Sequence, residues 1–439
     1  MIHFPARTVF PHTTNVSAKG HLIVGGCDTV ELAAEYGTPL YIFDEDTLGT
    51  LSKQFLQEFG SRYPNTKVVY ASKAFINPAL ARLFSEVGLG LEVVSGGELS
   101  VVLAGGVAAG DVYFHGNNKS REELQLAVSN GVGRVVVDNL FELNSLDEVA
   151  RDAGCVQDVL IRISPNVDPH THAYISTGNL DSKFGFPIET GQAEEAITKA
   201  ISAKNLRLLG LHCHIGSQIL ETSPHAEAVR VTLRFAAQMR KVGLELTEFS
   251  SGGGFGIAYT RDEEPPSISA YADAITATLI EECEALGFIN KPTLVIEPGR
   301  SIVGPAGVAL YSVGSRKAIT GVRTYINVDG GMGDNIRPAL YGARYEAVVA
   351  NKLDQIAEEE VTISGKFCES GDVLVSGIAL PSTEPGDIIA IPASGAYCPA
   401  MSSNYNMVAR PAIVLVGGGN SRLIRRRESY QDMMASDVL

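Results

Sequence analysis

Paired cysteines, basic runs and long apolar stretches are all missing from this sequence, and each absence closes a class of function. Cys27, Cys155, Cys213, Cys283, Cys368 and Cys398 are scattered, with no C-x-x-C pair. That pattern argues against a disulfide framework or a structural zinc site and suits a reducing cytoplasm. Only 35 Lys+Arg face 50 Asp+Glu, a formal net charge of -15, so a nucleic-acid partner is not expected. The triplet Arg425-Arg426-Arg427 reads as a solvated face rather than a binding patch. No apolar run reaches the roughly 20 residues of a membrane span. The opening Met1-Ile2-His3-Phe4-Pro5-Ala6-Arg7 lacks the basic-then-apolar order of a signal peptide, so neither export nor a membrane anchor is expected.

Apolar material is ample: 45% of the 439 residues are hydrophobic, enough for two domains. Eight strand-like runs follow one another: Lys67–Ser72, Leu89–Val94, Val112–His115, Arg134–Asp138, Val159–Ile163, Leu208–Cys213, Thr247–Ser251 and Leu294–Glu297. Amphipathic, helix-favouring stretches such as Pro78–Val87, Ser120–Asn130 and Ile268–Leu286 alternate with them. This is the content of an α/β fold of the (β/α)8, TIM-like barrel type. An open doubly wound sheet is the alternative, but no G-x-G-x-x-G follows the first strand. After Arg300 the texture turns to short strands punctuated by Gly and Pro: Tyr325–Val328, Val361–Ser364, Asp387–Ile391 and Ala412–Val416. The expected layout is a barrel over residues 38–300, with residues 1–37 and 301–439 forming a mostly-β (sandwich or barrel) domain.

Chemistry collects at the predicted strand ends: Lys73, Ser95, Asp138, Arg162, His214, Gly252 to Gly254 and Glu297. In a barrel these form the catalytic rim. Lys73, at a strand-to-helix junction ahead of Asn77-Pro78, is either an amine that bonds a carbonyl or a rim lysine reaching solvent. The loop Ser250-Ser251-Gly252-Gly253-Gly254-Phe255-Gly256 and the turn Glu297-Pro298-Gly299-Arg300 offer backbone amides to an anion. A carbonyl-reactive lysine beside a phosphate cradle points to pyridoxal 5′-phosphate, with Glu297 keeping the pyridine nitrogen protonated. A plain Glu297–Arg300 salt bridge is the structural alternative. His212 and His214 share a strand face and could chelate a metal. Such a site needs further His or Asp ligands at later strand ends; none is evident, and no metal is expected. Otherwise one ring of the pair stacks on the cofactor and the other packs or hydrogen-bonds below it.

Further motifs run almost end to end: Tyr36-Gly37-Thr38-Pro39-Leu40-Tyr41, Tyr70-Ala71-Ser72-Lys73-Ala74, Glu92-Val93-Val94-Ser95-Gly96-Gly97-Glu98, His115-Gly116-Asn117-Asn118-Lys119, Ser182-Lys183-Phe184-Gly185, His214-Ile215-Gly216-Ser217, Arg337-Pro338-Ala339-Leu340-Tyr341, Cys368-Glu369-Ser370-Gly371-Asp372 and Gly395-Ala396-Tyr397. In number and order they resemble the diaminopimelate decarboxylase family, of the alanine-racemase-like (fold type III) pyridoxal-phosphate enzymes. The resemblance implies that Lys73 holds the cofactor as an internal aldimine and that His214 stacks on its ring. It implies that Ser217, Gly253, Gly254, Gly299 and Arg300, with Tyr397, bind the phosphate, and that Glu297 pairs with the pyridine nitrogen. Arg300, Arg337, Tyr341 and Tyr397 would grip the distal end of an amino-acid substrate. Cys368 and Glu369 would arrive from the neighbouring subunit of a homodimer, Cys368 near the reacting carbon and Glu369 on the distal ammonium. The proton that ends the reaction would come from Cys368 or Lys73.

The substrate so implied, meso-2,6-diaminopimelate, carries an amine and a carboxylate at its far end. Arg300, Arg337 and Glu369 match that pair, whereas ornithine or lysine would leave buried arginines unmatched. The expected products are L-lysine and CO2, the final step of lysine biosynthesis. Rival readings are a sister decarboxylase of ornithine, arginine, lysine or a carrier-bound amino acid, a racemase, a non-catalytic pyridoxal-phosphate carrier, and a metal hydrolase. The run Asn166–Asn179, with His170 and His172, reads as a lid or a polar loop.

Overall fold

The computed structural model describes residues 5–168 and 182–438; His170 and His172, with most of the run Asn166–Asn179, lie outside the described residues. The chain forms two compact units. One comprises Leu51–Gly256 and Pro265–Gly299, the other Met1–Thr50, Ile257–Glu264 and Arg300–Leu439.

The first unit is a closed parallel barrel. Its eight strands are Thr66–Ala71, Gly90–Val93, Val112–Phe114, Arg134–Val137, Gln157–Ser164, Leu206–Cys213, Glu248–Ser250 and Thr293–Ile296, close to the expected bounds. Each pairs with the next, the fourth with the fifth and the eighth with the first; that closure excludes the open sheet. The intervening helices begin and end on local signals. Pro78–Val87 starts where Asn77 Oδ1 accepts the Leu80 N–H and stops at Gly88, φ 99°. Arg121–Asn130 opens on a capping box of Ser120 and Glu123.

Strand alternation then sorts the side chains into layers. Leu91, Val93, Val112 and Phe114 pack with the helix residues Ala81, Leu99, Val102 and Ala127, which turns Glu92 and Tyr113 to the barrel interior. There Val69, Tyr113, Val136, Leu160 and Val295 form one apolar layer. Two residues further along the same strands stand Ala71, His115, Asp138, Arg162 and Glu297. A period of two thus converts an apolar plug into a polar rim at the strands' C-terminal ends. Two residues earlier, Arg134 and Asp158 occupy the opposite end, where Arg134 meets Glu248 and Asp158.

The second unit is mostly β. Its principal sheet runs Val373–Leu380, Glu359–Ser364, Arg323–Val328, Gly307–Ile319, Leu40–Asp44, Ala412–Gly417, Asn420–Arg425, while Ile388–Ile391 pairs with Gly307–Ile319 and with Val348–Val349. The fully buried Leu40–Asp44 lies antiparallel to Gly307–Ile319 and parallel to Ala412–Gly417. A small sheet of Asn15–Val16, Leu22–Val24 and Cys27–Asp28 contributes Leu22, Val24 and Cys27 to a core shared with Leu40, Val308, Leu310 and Val414. Arg425-Arg426-Arg427 is not a uniformly solvated face: Arg427 donates to Pro39 O at 2.8 Å, while exposed Arg426 pairs with Asp432. Among the described residues no helix is long and apolar enough to cross a membrane.

Candidate active site

Lys73 is presented by a pinned turn. The first strand ends at Ala71, whose N–H donates to Pro298 O at 3.0 Å, and a 3-10 turn over Ser72–Ala74 follows. The Tyr70 hydroxyl closes that turn by donating to Phe75 O at 2.7 Å. Lys73 Nζ lies 2.5 Å from Glu92 Oε1, with the lysine side chain 35% exposed and the glutamate 1%. Burial lifts the Glu92 carboxyl above its ordinary range; the Lys73 charge opposes that shift and the Glu297 charge adds to it.

Glu297 has the opposite fate. Its Oε2 is 3.1 Å from His212 Nε2, and its Oε1 accepts the Ser250 hydroxyl at 2.8 Å and lies 3.5 Å from His115 Nε2. Burial works against ionisation, but the imidazoles of His212 and His115, the His212 hydrogen bond and the Lys73 charge outweigh it and hold this carboxyl well below the usual range. Two buried carboxylates on one rim are therefore driven apart in proton affinity, the arrangement that separates an acid from a base. These partners also replace the Glu297–Arg300 bridge considered from sequence. His214 is half-buried and accepts the Gly253 N–H on Nδ1 at 3.2 Å, which leaves its proton on Nε2. Burial, then the charges of Lys73 and Arg162, hold it neutral.

The glycine loop fits only glycine. A Cβ at Gly253 would fall 2.1 Å from Glu297 O, and one at Gly254, φ +101°, would fall 2.6 Å from Gly216 O. Ser217 stands in the turn between Gly216 and Ile219, whose N–H donates to Gly254 O at 2.9 Å. A Cβ at Gly299 would meet Ala71 Cβ at 2.9 Å, so its turn lies against the lysine strand. The structure thus brings Lys73, His214, Ser217, Gly253, Gly254, Glu297 and Gly299 to one rim. Ser95 has a local task instead, accepting the Glu98 N–H as cap of the helix Gly96–Ala104. Asp138 and Arg162 pair at 3.6 Å, Arg162 lies 4.5 Å from the Phe184 ring, and Asp138 Oδ1 accepts the Gly185 N–H at 3.0 Å.

The β unit gathers the predicted arginines among phenols. Arg300 donates to the Tyr259 hydroxyl and lies 4.7 Å from the Tyr397 ring. Arg337 donates to the Tyr345 hydroxyl and lies 4.4 Å from the Tyr259 ring. Among the described residues no carboxylate pairs with Arg337, although it is buried. Tyr397 sits at φ 60°, a backbone state that costs a bulky residue roughly 1–3 kcal/mol and marks a constrained site. Tyr341 is half-buried at the end of the short helix Arg337–Tyr341. Cys368 and Glu369 are exposed; the Cys368 N–H donates to Asn406 Oδ1 at 3.0 Å and Glu369 Oε1 accepts the Gly371 N–H at 3.3 Å.

Sequence reasoning assigned no role to Glu92, His115, Ser250, Tyr259 or Tyr345. The signal for Glu92 and His115 was the alternation itself, which turns them inward. One cluster of possible ligands that the His212–His214 pairing did not anticipate is present: His115, His212 and Glu297 place ligand atoms within 4.8 Å of one another, because the third, sixth and eighth strands converge at the rim.

A parallel barrel whose mouth holds an amine, two opposed carboxylates and a glycine-lined turn is the scaffold of the pyridoxal-dependent decarboxylases. Residues 48–304 match the family described as "Pyridoxal-dependent decarboxylase, pyridoxal binding domain". Across nearly the whole chain the likeness is narrower: 45% identity over 427 residues to the diaminopimelate decarboxylase of Bacillus subtilis, covering 97% of each chain. The crystal structure of diaminopimelate decarboxylase from M. jannaschii matches with a TM-score of 0.91 at 36% identity over 98% of each chain, as does that enzyme in co-complex with L-lysine. The chain belongs to the diaminopimelate decarboxylase family. Its barrel mouth fits a group with an aldehyde, a ring nitrogen and an anionic tail: Lys73, Glu297 and the glycine turn answer these in order. Ser251 Oγ and His212 Nδ1, both buried, have no hydrogen-bond partner among the described residues.

Proposed function

We propose that this chain uses pyridoxal 5′-phosphate to decarboxylate meso-2,6-diaminopimelate to L-lysine and CO2, the last step of lysine biosynthesis. The observation that carries the reading is Lys73, 2.5 Å from the buried Glu92, on the same rim as an ionised Glu297 and amides that only glycine can present. Lys73 would hold the cofactor covalently, Glu297 its ring nitrogen, His214 its ring face, and Ser217, Gly253, Gly254, Gly299, Arg300 and Tyr397 its phosphate. When bound, the cofactor ring takes up the electron pair left on the α-carbon as CO2 departs.

The chain's own groups manage protons and position. Lys73 must shed a proton before its nitrogen can bond a carbonyl; Glu92 is the acceptor within reach, and its burial suits it to keep that proton. Glu297, ionised, holds a partner N–H protonated. Neutral His214 places no second positive charge against a cationic ring. His212 and Ser250 then support that carboxylate by hydrogen bonds, and His115 stands beside it at 3.5 Å. Lys73 or Cys368 returns a proton to the α-carbon.

Arg300 and Arg337, with Tyr341 and Tyr397, would receive the distal carboxylate. Among the described residues the Arg337 guanidinium meets phenols, rings and the Cys398 thiol but pairs with no carboxylate, and a bound carboxylate would supply the missing opposite charge. Glu369 would take the distal ammonium, supplied with Cys368 by a second copy of the chain. The exposure of both residues supports this, as do the exposed apolar side chains of Met401, Tyr405 and Met407 on the segment hydrogen-bonded to Cys368. The test is lysine formation from meso-diaminopimelate with and without added pyridoxal phosphate, beside L-ornithine, L-arginine and L-lysine. Cofactor-dependent lysine production with inert controls is expected; turnover of a control instead would move the substrate to a sister decarboxylase.

A further inference from the structure

The glycine turn is made by two loops, and one buried phenol joins them. The loop after the sixth strand, residues 216–219, and the loop after the seventh, residues 252–256, meet in a minimal bridge of Ile219 with Phe255, in which the Ile219 N–H donates to Gly254 O at 2.9 Å. Neither loop has regular structure of its own; the Gly253 N–H holds to His214 Nδ1 at 3.2 Å, and beyond it one bridge orders a short stretch of glycine-rich backbone. Tyr271, in the first turn of the helix Ile268–Ala285, adds a tie to both loops at once. Its hydroxyl donates to Ile219 O at 2.5 Å and accepts the Gly256 N–H at 3.2 Å, so its donor serves one loop and an acceptor lone pair the other. A Cβ at Gly256 would lie 2.9 Å from Ile219 O, too close for a side chain of the loop to do the same. Tyr271 is 1% exposed, its ring 5.1 Å from Phe255 and 5.3 Å from His225, both edge-on. Phe255 in turn lies against Phe55 and Phe59, so the phenol is anchored in a packed aromatic cluster.

We propose that Tyr271 is a positioning residue whose buried hydroxyl locks the two loops together, so that the amides around Gly254 are preset for the phosphate of the cofactor. Preset donors bind an anion more tightly than donors that must first be ordered. The proposal rests on the function argued above, and its test separates the two. Apo protein, wild type and Tyr271→Phe, is titrated with pyridoxal 5′-phosphate and with pyridoxal, which lacks the phosphate, and amide exchange is followed at Ile219 and Gly256. Wild type should prefer the phosphate ester. Tyr271→Phe should lose about tenfold in affinity for it, the size expected for one buried hydrogen-bonded group, with pyridoxal binding unchanged and both amides exchanging faster. His225→Phe, which alters the same aromatic cluster without touching either loop bond, should leave the preference intact.

Equal loss of both ligands, or unchanged exchange, overturns the clamp. A wild type with no preference for the phosphate ester overturns the phosphate-site reading, and the clamp is then judged on exchange alone. Should Tyr271→Phe fail to fold, the wild-type protein decides: Ile219 and Gly256 amides exchanging with the barrel strands uphold the clamp, and exchange at open-loop rates overturns it.

Discussion

The two ends of the barrel carry similar residues under opposite conditions. At the N-terminal end Arg134 reaches Glu248 at 3.1 Å and Asp158 at 3.2 Å, and Arg207 reaches Asp158 at 2.6 Å, so each carboxylate meets a guanidinium. One apolar layer away, at the C-terminal rim, Glu92 Oε2 and His212 Nδ1 are buried without a hydrogen-bond partner among the described residues, and Asp138 Oδ2 and His115 Nε2 reach Arg162 and Glu297 at 3.6 and 3.5 Å, beyond hydrogen-bond geometry. Satisfied polar groups hold a fold together, and unsatisfied ones weaken it unless something else completes them. The N-terminal end is thus built for stability, whereas the C-terminal rim keeps polar groups for a ligand to complete.

The largest effect should come from Lys73→Ala. It should abolish the visible absorbance of bound cofactor and lower turnover roughly 10³-fold or more; normal turnover would remove Lys73 from the chemistry. Glu297→Gln should retain cofactor yet slow turnover about 10²-fold or more, and an unchanged kcat would strip this carboxylate of its role.

Arg134→Met breaks the comparison from the other side. It should destabilise the protein by roughly 3 kcal/mol, because Glu248 and Asp158 would lose a shared partner, while kcat of the folded fraction stays at the wild-type value. Glu92→Gln should do the reverse, lowering kcat with little or no loss in denaturant midpoint. If both variants lost stability alike, the contrast between the ends would collapse.

The smallest effect concerns Glu98, whose Oε2 accepts the Val94 N–H at 2.8 Å. Burial lifts its carboxyl from an ordinary 4.5 to about 7, against that hydrogen bond. Between those values the folded state keeps a proton that the unfolded state has released, so this contribution to stability is full at low pH and fades as pH rises through about 7. Melting temperature against pH should show that decline in wild type and a flatter profile in Glu98→Gln; identical slopes would place the titration elsewhere.

Much of this was legible in the sequence, for reasons that differ by residue. Lys73 was found because the β-branched run before it and Asn77-Pro78 after it mark a strand end and a helix start within a few residues. The glycine loop and Glu297 were found by their place after the seventh and eighth strands. Glu92 escaped because a lone acid in Gly90-Leu91-Glu92-Val93 faces inward only once helices have claimed Leu91 and Val93. The strand Gly307–Ile319 escaped because its second half is exposed and polar, without the alternation that announces a strand. The phenols around Arg300 and Arg337 carry no pattern at all, since Tyr259 and Tyr345 reach their arginines through packing.

By itself the sequence determined what depends on near neighbours: strand and helix periods, caps, and the glycines whose backbone states other residues avoid. Only the tertiary structure decided which face of each strand turned inward, which charges met, and which were left waiting. Those outcomes rest on contacts between residues as far apart as Arg134 and Glu248 or His212 and Glu297, brought together by barrel closure. Local preferences act over a few residues, whereas burial and charge pairing act over whatever distance the fold has closed.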